Sequence, residues 1–275
     1  MDRREAILRE LNLYPLWKRR GSPVAVPAGQ ATDADDVRTV PPTSDDTRDA
    51  AREEHIPVIK AEHEKQVQTP GGQVAADFPV SRIDSLGWPE LKQRVSACNA
   101  CKLRAGCTQT VFGVGDEHAD WLFVGEGPGA DEDALGEPFV GQAGKLLDNM
   151  LLAIKLKRGK NVYIANVVKC RPPGNRNPDA EEIAACLPYL QRQIELIKPK
   201  LIVALGKVAS NALLGRDATL ASLRGKPHDF RGIPIIVTYH PAYLLRSPSE
   251  KAKAWQDLCA AKKMMHESDK QSKNE

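Results

Sequence analysis

The residues best suited to chemistry in this sequence stand where short apolar runs end. Gly125-Glu126-Gly127-Pro128-Gly129 closes the first run, followed by Asp131, Glu132 and Asp133, then Phe139 in Glu137-Pro138-Phe139-Val140-Gly141. Asn166 closes the second run and Gly206 follows the third. The fourth leads into His240-Pro241-Ala242-Tyr243-Leu244-Leu245-Arg246. An acid, an aromatic ring, an amide and an imidazole converging at one rim would form a pocket for a flat polar heterocycle. Singly, none is specific. The glycine run lacks both the Gly-x-Gly-x-x-Gly spacing and the Lys-Ser/Thr ending of phosphate loops. An Asn in a strand is more often a satisfied structural amide, and a His before Pro more often a turn residue. Only their joint placement carries a functional reading.

The cysteines form an independent pattern. Cys98 and Cys101 make a Cys-x2-Cys pair ahead of the first run; Cys170 follows the second run, and Cys186 comes sixteen residues later. Two pairs can supply four thiolates, which suits zinc or a [4Fe–4S] cluster, and spacing does not separate the two. Cys107 is a candidate substitute ligand, whereas Cys259 reads as a buried thiol of the last helix. Six cysteines in a chain without export features point to metal or redox chemistry rather than disulfides.

The elements that must position these groups read as alternating strands and helices. Trp121–Gly125, Val162–Val168, Leu201–Leu205 and Ile235–Tyr239 are apolar runs bounded by Gly, Pro or polar residues, as buried strands are. Between them, Ala143–Leu156 and Asp179–Ile197 carry helical apolar stripes, another helix begins near Lys207, and Ser249 is placed to cap a last one reaching about Met265. Such alternation predicts a three-layer α/β/α domain around a central, mainly parallel four-stranded sheet, over residues 86–266. In sheets of this type ligands bind at the carboxyl ends of the strands, where the groups above lie.

Glu126 to Gly129 with Glu132 and Asp133, Phe139, Asn166-Val-Val-Lys-Cys-Arg-Pro-Pro and His-Pro-Ala-Tyr-Leu-Leu-Arg together resemble the family 4, iron–sulfur uracil-DNA glycosylases, over roughly residues 88–262. The resemblance implies an α/β fold of that kind and an enzyme of base excision repair that flips uracil from DNA and hydrolyses its N-glycosidic bond. It implies a [4Fe–4S] cluster on Cys98, Cys101, Cys170 and Cys186, with Cys107 outside the pattern. Phe139 would stack on the flipped base, Asn166 would read its Watson–Crick edge, and Glu132 would stand near C5 against a thymine methyl. Backbone groups at Glu126 and Gly127 would hold the base. His240 would stabilise charge at O2, and Glu126 would position water or balance the sugar cation. Leu244 and Leu245 suit a minor-groove wedge, with Arg246 on the DNA backbone. The stretch after Cys170 has no His of the kind a covalently trapping relative uses, which implies ordinary hydrolysis.

Charge is unevenly spread. Residues 1–85 carry 12 basic and 15 acidic residues, residues 86–266 carry 25 and 18, and the last nine carry 2 and 3. The basic surplus lies in the domain, as suits single- or double-stranded DNA as partner. Residues 1–20 read as a short amphipathic helix (Ile7, Leu8, Leu11 and Tyr14 on one face) that docks on its own domain or on a replication or repair protein. Residues 21–85 hold seven prolines between 21 and 80 and one aromatic, a disordered linker by composition, and 267–275 read as a disordered tail. With neither signal peptide nor spanning segment, a monomer in the cytoplasm, at the nucleoid, is expected. A non-enzymatic redox-sensing DNA binder, or a replication accessory factor with a degenerate fold, would not need Asn166 and His240 at strand ends.

Overall fold

The computed structural model describes residues 80–271. A 3-10 turn at Val80–Ser85 leads to helices α1 (Trp88–Ser96) and α2 (Leu103–Gly106). Next come β1 (Val114–Gly115), β2 (Trp121–Gly125), α3 (Ala130–Leu135), α4 (Gln142–Ala153) and β3 (Val162–Asn166). The chain continues through α5 (Ala180–Ile197), β4 (Leu201–Leu205), α6 (Lys207–Leu214), α7 (Leu220–Leu223), β5 (His228–Phe230) and β6 (Ile233–Thr238). It ends with α8 (Pro241–Arg246) and α9 (Lys251–Gln271).

The four predicted strands form the parallel centre of a six-stranded sheet of order β1-β3-β2-β4-β6-β5. The outer two, β1 and β5, pair antiparallel and are two and three residues long. They are too short to show as apolar runs. Every residue of β2, β3 and β4 is buried, so both faces are covered. The pleat sends Leu122, Val124, Ala165, Ile202 and Val237 to one layer with Leu91 of α1, Leu190 and Ile194 of α5 and Leu213 of α6. Phe123, Ile164, Val203 and Ile236 meet Leu147 and Leu151 of α4 and Leu258 of α9 on the other. This is the expected three-layer α/β/α arrangement.

Several boundaries differ from expectation. Val80–Ser85, assigned to the linker, is structured: Ile83 is buried in the core and Arg192 Nε donates to the Leu86 carbonyl at 2.8 Å. One apolar residue anchors the segment, too weak a signal to read against its polar neighbours. Ser249 caps no helix; it lies in a 3-10 turn, Pro248–Glu250, and α9 then runs to Gln271, into the predicted tail. The helix expected over 1–20 and the linker up to residue 79 lie outside the described residues, as do 272–275. Among the described residues no helix is long and apolar enough to cross a membrane.

Candidate active site

Parallel pairing sets Gly125 at the end of β2 directly beside Asn166 at the end of β3. Any side chain at 125 would strike the Asn166 Oδ1 and the Phe139 ring, since a Cβ there would overlap both. Glycine is required because amide and ring close a slot over its Cα. Asn166 is 2% exposed, and its Oδ1 has no hydrogen-bond partner. A buried acceptor left open costs stability unless something fills it.

Phe139 is held in place by force. Its φ of 57° is the left-handed region, rare for a large side chain. Arg158 fixes that conformation, with Nη2 donating to the Phe139 carbonyl at 2.7 Å and Nη1 to that of Pro138 at 2.8 Å, while Nε reaches Asp148 at 3.0 Å. Gly144 lets the Phe139 backbone approach α4, since a Cβ there would overlap the Phe139 carbonyl. Such strain persists only where surrounding contacts over-determine it.

His240 precedes α8 and caps it: its Nδ1 accepts from the Ala242 amide at 3.2 Å. That leaves the ring proton on Nε2. The His240 and Phe139 rings tilt together with centroids 5.5 Å apart. Burial, reinforced by the nearby Arg246 charge and only partly opposed by Glu132, pushes the imidazole down to about 4, so it is neutral at physiological pH. Gly206 at the exit of β4 has φ +92° and makes room for the His240 Cβ.

Glu126 follows Gly125 at the rim, and burial raises the proton affinity of its carboxyl. The Glu126 carbonyl accepts from the Val168 amide at 3.1 Å, which zips the glycine loop to the exit of β3, and Gly127 packs where a Cβ would strike Val168. Glu132 is fully committed: Oε2 accepts from Gly129 N at 3.0 Å, and Oε1 from Val140 and Gly141 N at 2.9 and 3.0 Å. It braces the glycine loop to the Phe139 loop and can act on a base only as a fixed wall. Asp133 is a buried anchor, accepting from the Thr108 amide and hydroxyl and from the Gln109 amide.

The proposed wedge requires a correction. Leu244 is 1% exposed and packs in the core layer of α4 and α9, so it cannot enter DNA. Leu245 is 44% exposed beside the exposed Arg246, and Tyr243, also exposed, stacks on Tyr239 at 5.3 Å. Adjacent residues of a one-and-a-half-turn helix differ by 100° in direction, and sequence alone does not say which faces in.

Cys98, Cys101, Cys170 and Cys186 line one cavity together with Val95, Leu103, Lys169 and Tyr189. The Lys169 amide donates to Cys186 Sγ at 3.2 Å and the Tyr189 hydroxyl to Cys98 Sγ at 3.3 Å. Burial raises both inner thiols, Cys186 to about 11 and Cys170 further. Among the described residues no three potential ligands close on a point as a single metal ion would need. Cys107 neighbours Cys170 but lies outside that lining and turns to Arg104, 3.7 Å from its Nη1. Cys259 is exposed, not buried as expected: the inner face of α9 is taken by Ala254, Leu258, Ala261 and Met265.

Two groups that position the site escaped the sequence reading. Arg158 sits in Leu156-Lys-Arg-Gly-Lys160, which reads as a solvated turn and gives no signal. Lys169 is buried, with Nζ donating to the Asn166 carbonyl at 2.9 Å and to Gln193 Oε1 at 2.6 Å. A lysine closing the apolar run Val167-Val168 was the available clue.

Residues 112–259 match the Uracil DNA glycosylase superfamily. The chain is 47% identical over 163 residues to the type-4 uracil-DNA glycosylase of Thermotoga maritima, covering 58% of this chain and 84% of that protein. It is 44% identical over 167 residues to the protein of the same name from Archaeoglobus fulgidus, covering 58% and 83%. Against that of Pyrobaculum aerophilum it is 42% identical over 177 residues, covering 62% and 90%. With half the chain matched and most of each relative covered, this chain belongs to the uracil DNA glycosylase superfamily.

Proposed function

We propose that the protein excises uracil from DNA by hydrolysing its N-glycosidic bond. The observation that carries this is the buried Asn166 amide with an open Oδ1, at the floor of a slot between Gly125 and Phe139. Uracil offers N3–H to that oxygen and O4 to the amide nitrogen, while Phe139 covers its face. The wall made by the braced Glu132 would exclude a 5-methyl group. As the bond breaks, negative charge develops on O2, and the neutral His240 donates Nε2–H to it. Donors of this type are typically worth about 2.7–4 kcal/mol of barrier. Glu126, as carboxylate, offsets the oxocarbenium charge and orients the attacking water. Leu245 fills the vacated stack and Arg246 contacts phosphate.

The four-cysteine cavity fits a [4Fe–4S] cluster. Its lining offers four cysteine sulfurs as the donors, the set iron–sulfur clusters take. When bound, the group supplies thiolate–iron bonds that cross-link the segment before α2, the exit of β3 and α5. The decisive assay incubates purified protein with a uracil-containing oligonucleotide and an otherwise identical thymine control. Abasic sites in the first alone are expected; none in either would overturn the reading.

A further inference from the structure

A buried charge is stable only when paired, and Lys169 is a lysine 1% exposed with two neutral acceptors, the Asn166 carbonyl and Gln193 Oε1. Gln193 is itself fully buried and fixed, its Nε2 donating to the Phe112 carbonyl at 3.0 Å and to the Tyr163 hydroxyl at 3.3 Å. Among the described residues no carboxylate forms an ion pair with Lys169. Its own backbone amide donates to the Cys186 sulfur, and the residue lines the four-cysteine cavity. One residue therefore touches both the metal-ligand set and the strand end that presents the base-reading amide.

We propose that Lys169 is a positioning residue that serves both centres: its ammonium is the counter-charge of the cysteine thiolates, and its bond to the Asn166 carbonyl fixes the height of the Asn166 amide in the slot. This rests on the cluster reading above. A set of four thiolates around iron and sulfide is anionic, and its potential depends on nearby charge and hydrogen bonds. The ammonium favours the more negative, reduced state.

Three full-length variants separate charge from hydrogen bond: Lys169→Arg keeps both, Lys169→Gln keeps a donor without charge, and Lys169→Met keeps neither. Iron and sulfide content, the midpoint potential and uracil kcat/KM are read for each. Lys169→Arg should resemble wild type, whereas Gln and Met should shift the potential negative and lose bound iron faster in air. Met alone should also lower uracil kcat/KM by about tenfold, as expected for loss of one buried hydrogen bond. If Met retained wild-type potential, iron and kcat/KM, the proposal would be overturned while the cluster reading stood. Should Met fail to fold, equal potentials in Arg and Gln would overturn it equally. Wild-type protein free of iron and sulfide would overturn both.

Discussion

At the residue scale the site depends on protonation states set by burial. His240 keeps its ring proton on Nε2 because Nδ1 accepts from the Ala242 amide, and burial keeps the ring neutral at neutral pH. Replacing Asn166 with Asp should abolish most uracil excision and create weak excision of cytosine, whose N4–H needs an acceptor. His240→Ala should slow both by about 10²–10³ in kcat without changing the preference, since O2 is common to both bases. Competition assays on uracil and cytosine oligonucleotides check this; unchanged uracil excision by the Asp variant would refute the edge reading. Burial pushes the Glu126 carboxyl above its ordinary range. If it acts as the carboxylate, as proposed, activity should fall on the acid side with a midpoint above that of an ordinary glutamate, and Glu126→Gln, much slower, should lose that limb. Asn166 and His240 were legible because strand ends announce where ligands bind. Arg158 and Lys169 were not, because Arg158 meets the Phe139 and Pro138 carbonyls 19 and 20 residues away, Lys169 meets Gln193 24 residues away, and no local pattern encodes these pairings.

At the scale of elements, α8 divides its two leucines between core and surface. Leu244→Ala should cost about 2–5 kcal/mol of stability through the cavity it leaves. Leu245→Ala should leave the melting temperature nearly unchanged and reduce excision from duplex more than from single strands, where no stack must be refilled. The reverse pattern would return Leu244 to the wedge. The start of α5 offers a pH test. Glu182 is buried, accepts both Arg176 nitrogens and the Asp179 amide, and the Arg176 contact holds it down to about 2. A carboxyl depressed in the folded state stabilises fully above its unfolded value, near 4.5, and the contribution is lost as pH falls through about 2. The melting-temperature gap between wild type and Glu182→Gln should be open at pH 7 and close toward pH 2. The long strands and helices were legible from period and capping signals; the helix face of Leu244 was not, since six residues hold too few turns to define a stripe.

For the whole molecule, the domain begins earlier than composition implies. A chain starting at residue 80 should fold and excise uracil from short oligonucleotides like the full chain, whereas starting at 87 should lower the melting temperature by removing Ile83 and the Leu86 carbonyl held by Arg192. Equal melting temperatures would show that the segment adds nothing. The net basic charge of residues 86–266 should make DNA affinity fall steeply with salt.

The sheet closes on both sides in antiparallel strands of two and three residues. Long parallel edges present a row of unpaired amides and carbonyls that can template a neighbour's backbone, a route to fibrils. Here the four long strands are all interior, and each border offers too little backbone to recruit a foreign strand. The edges of the sheet are thereby protected against self-templating, and concentrated solutions should show no thioflavin binding.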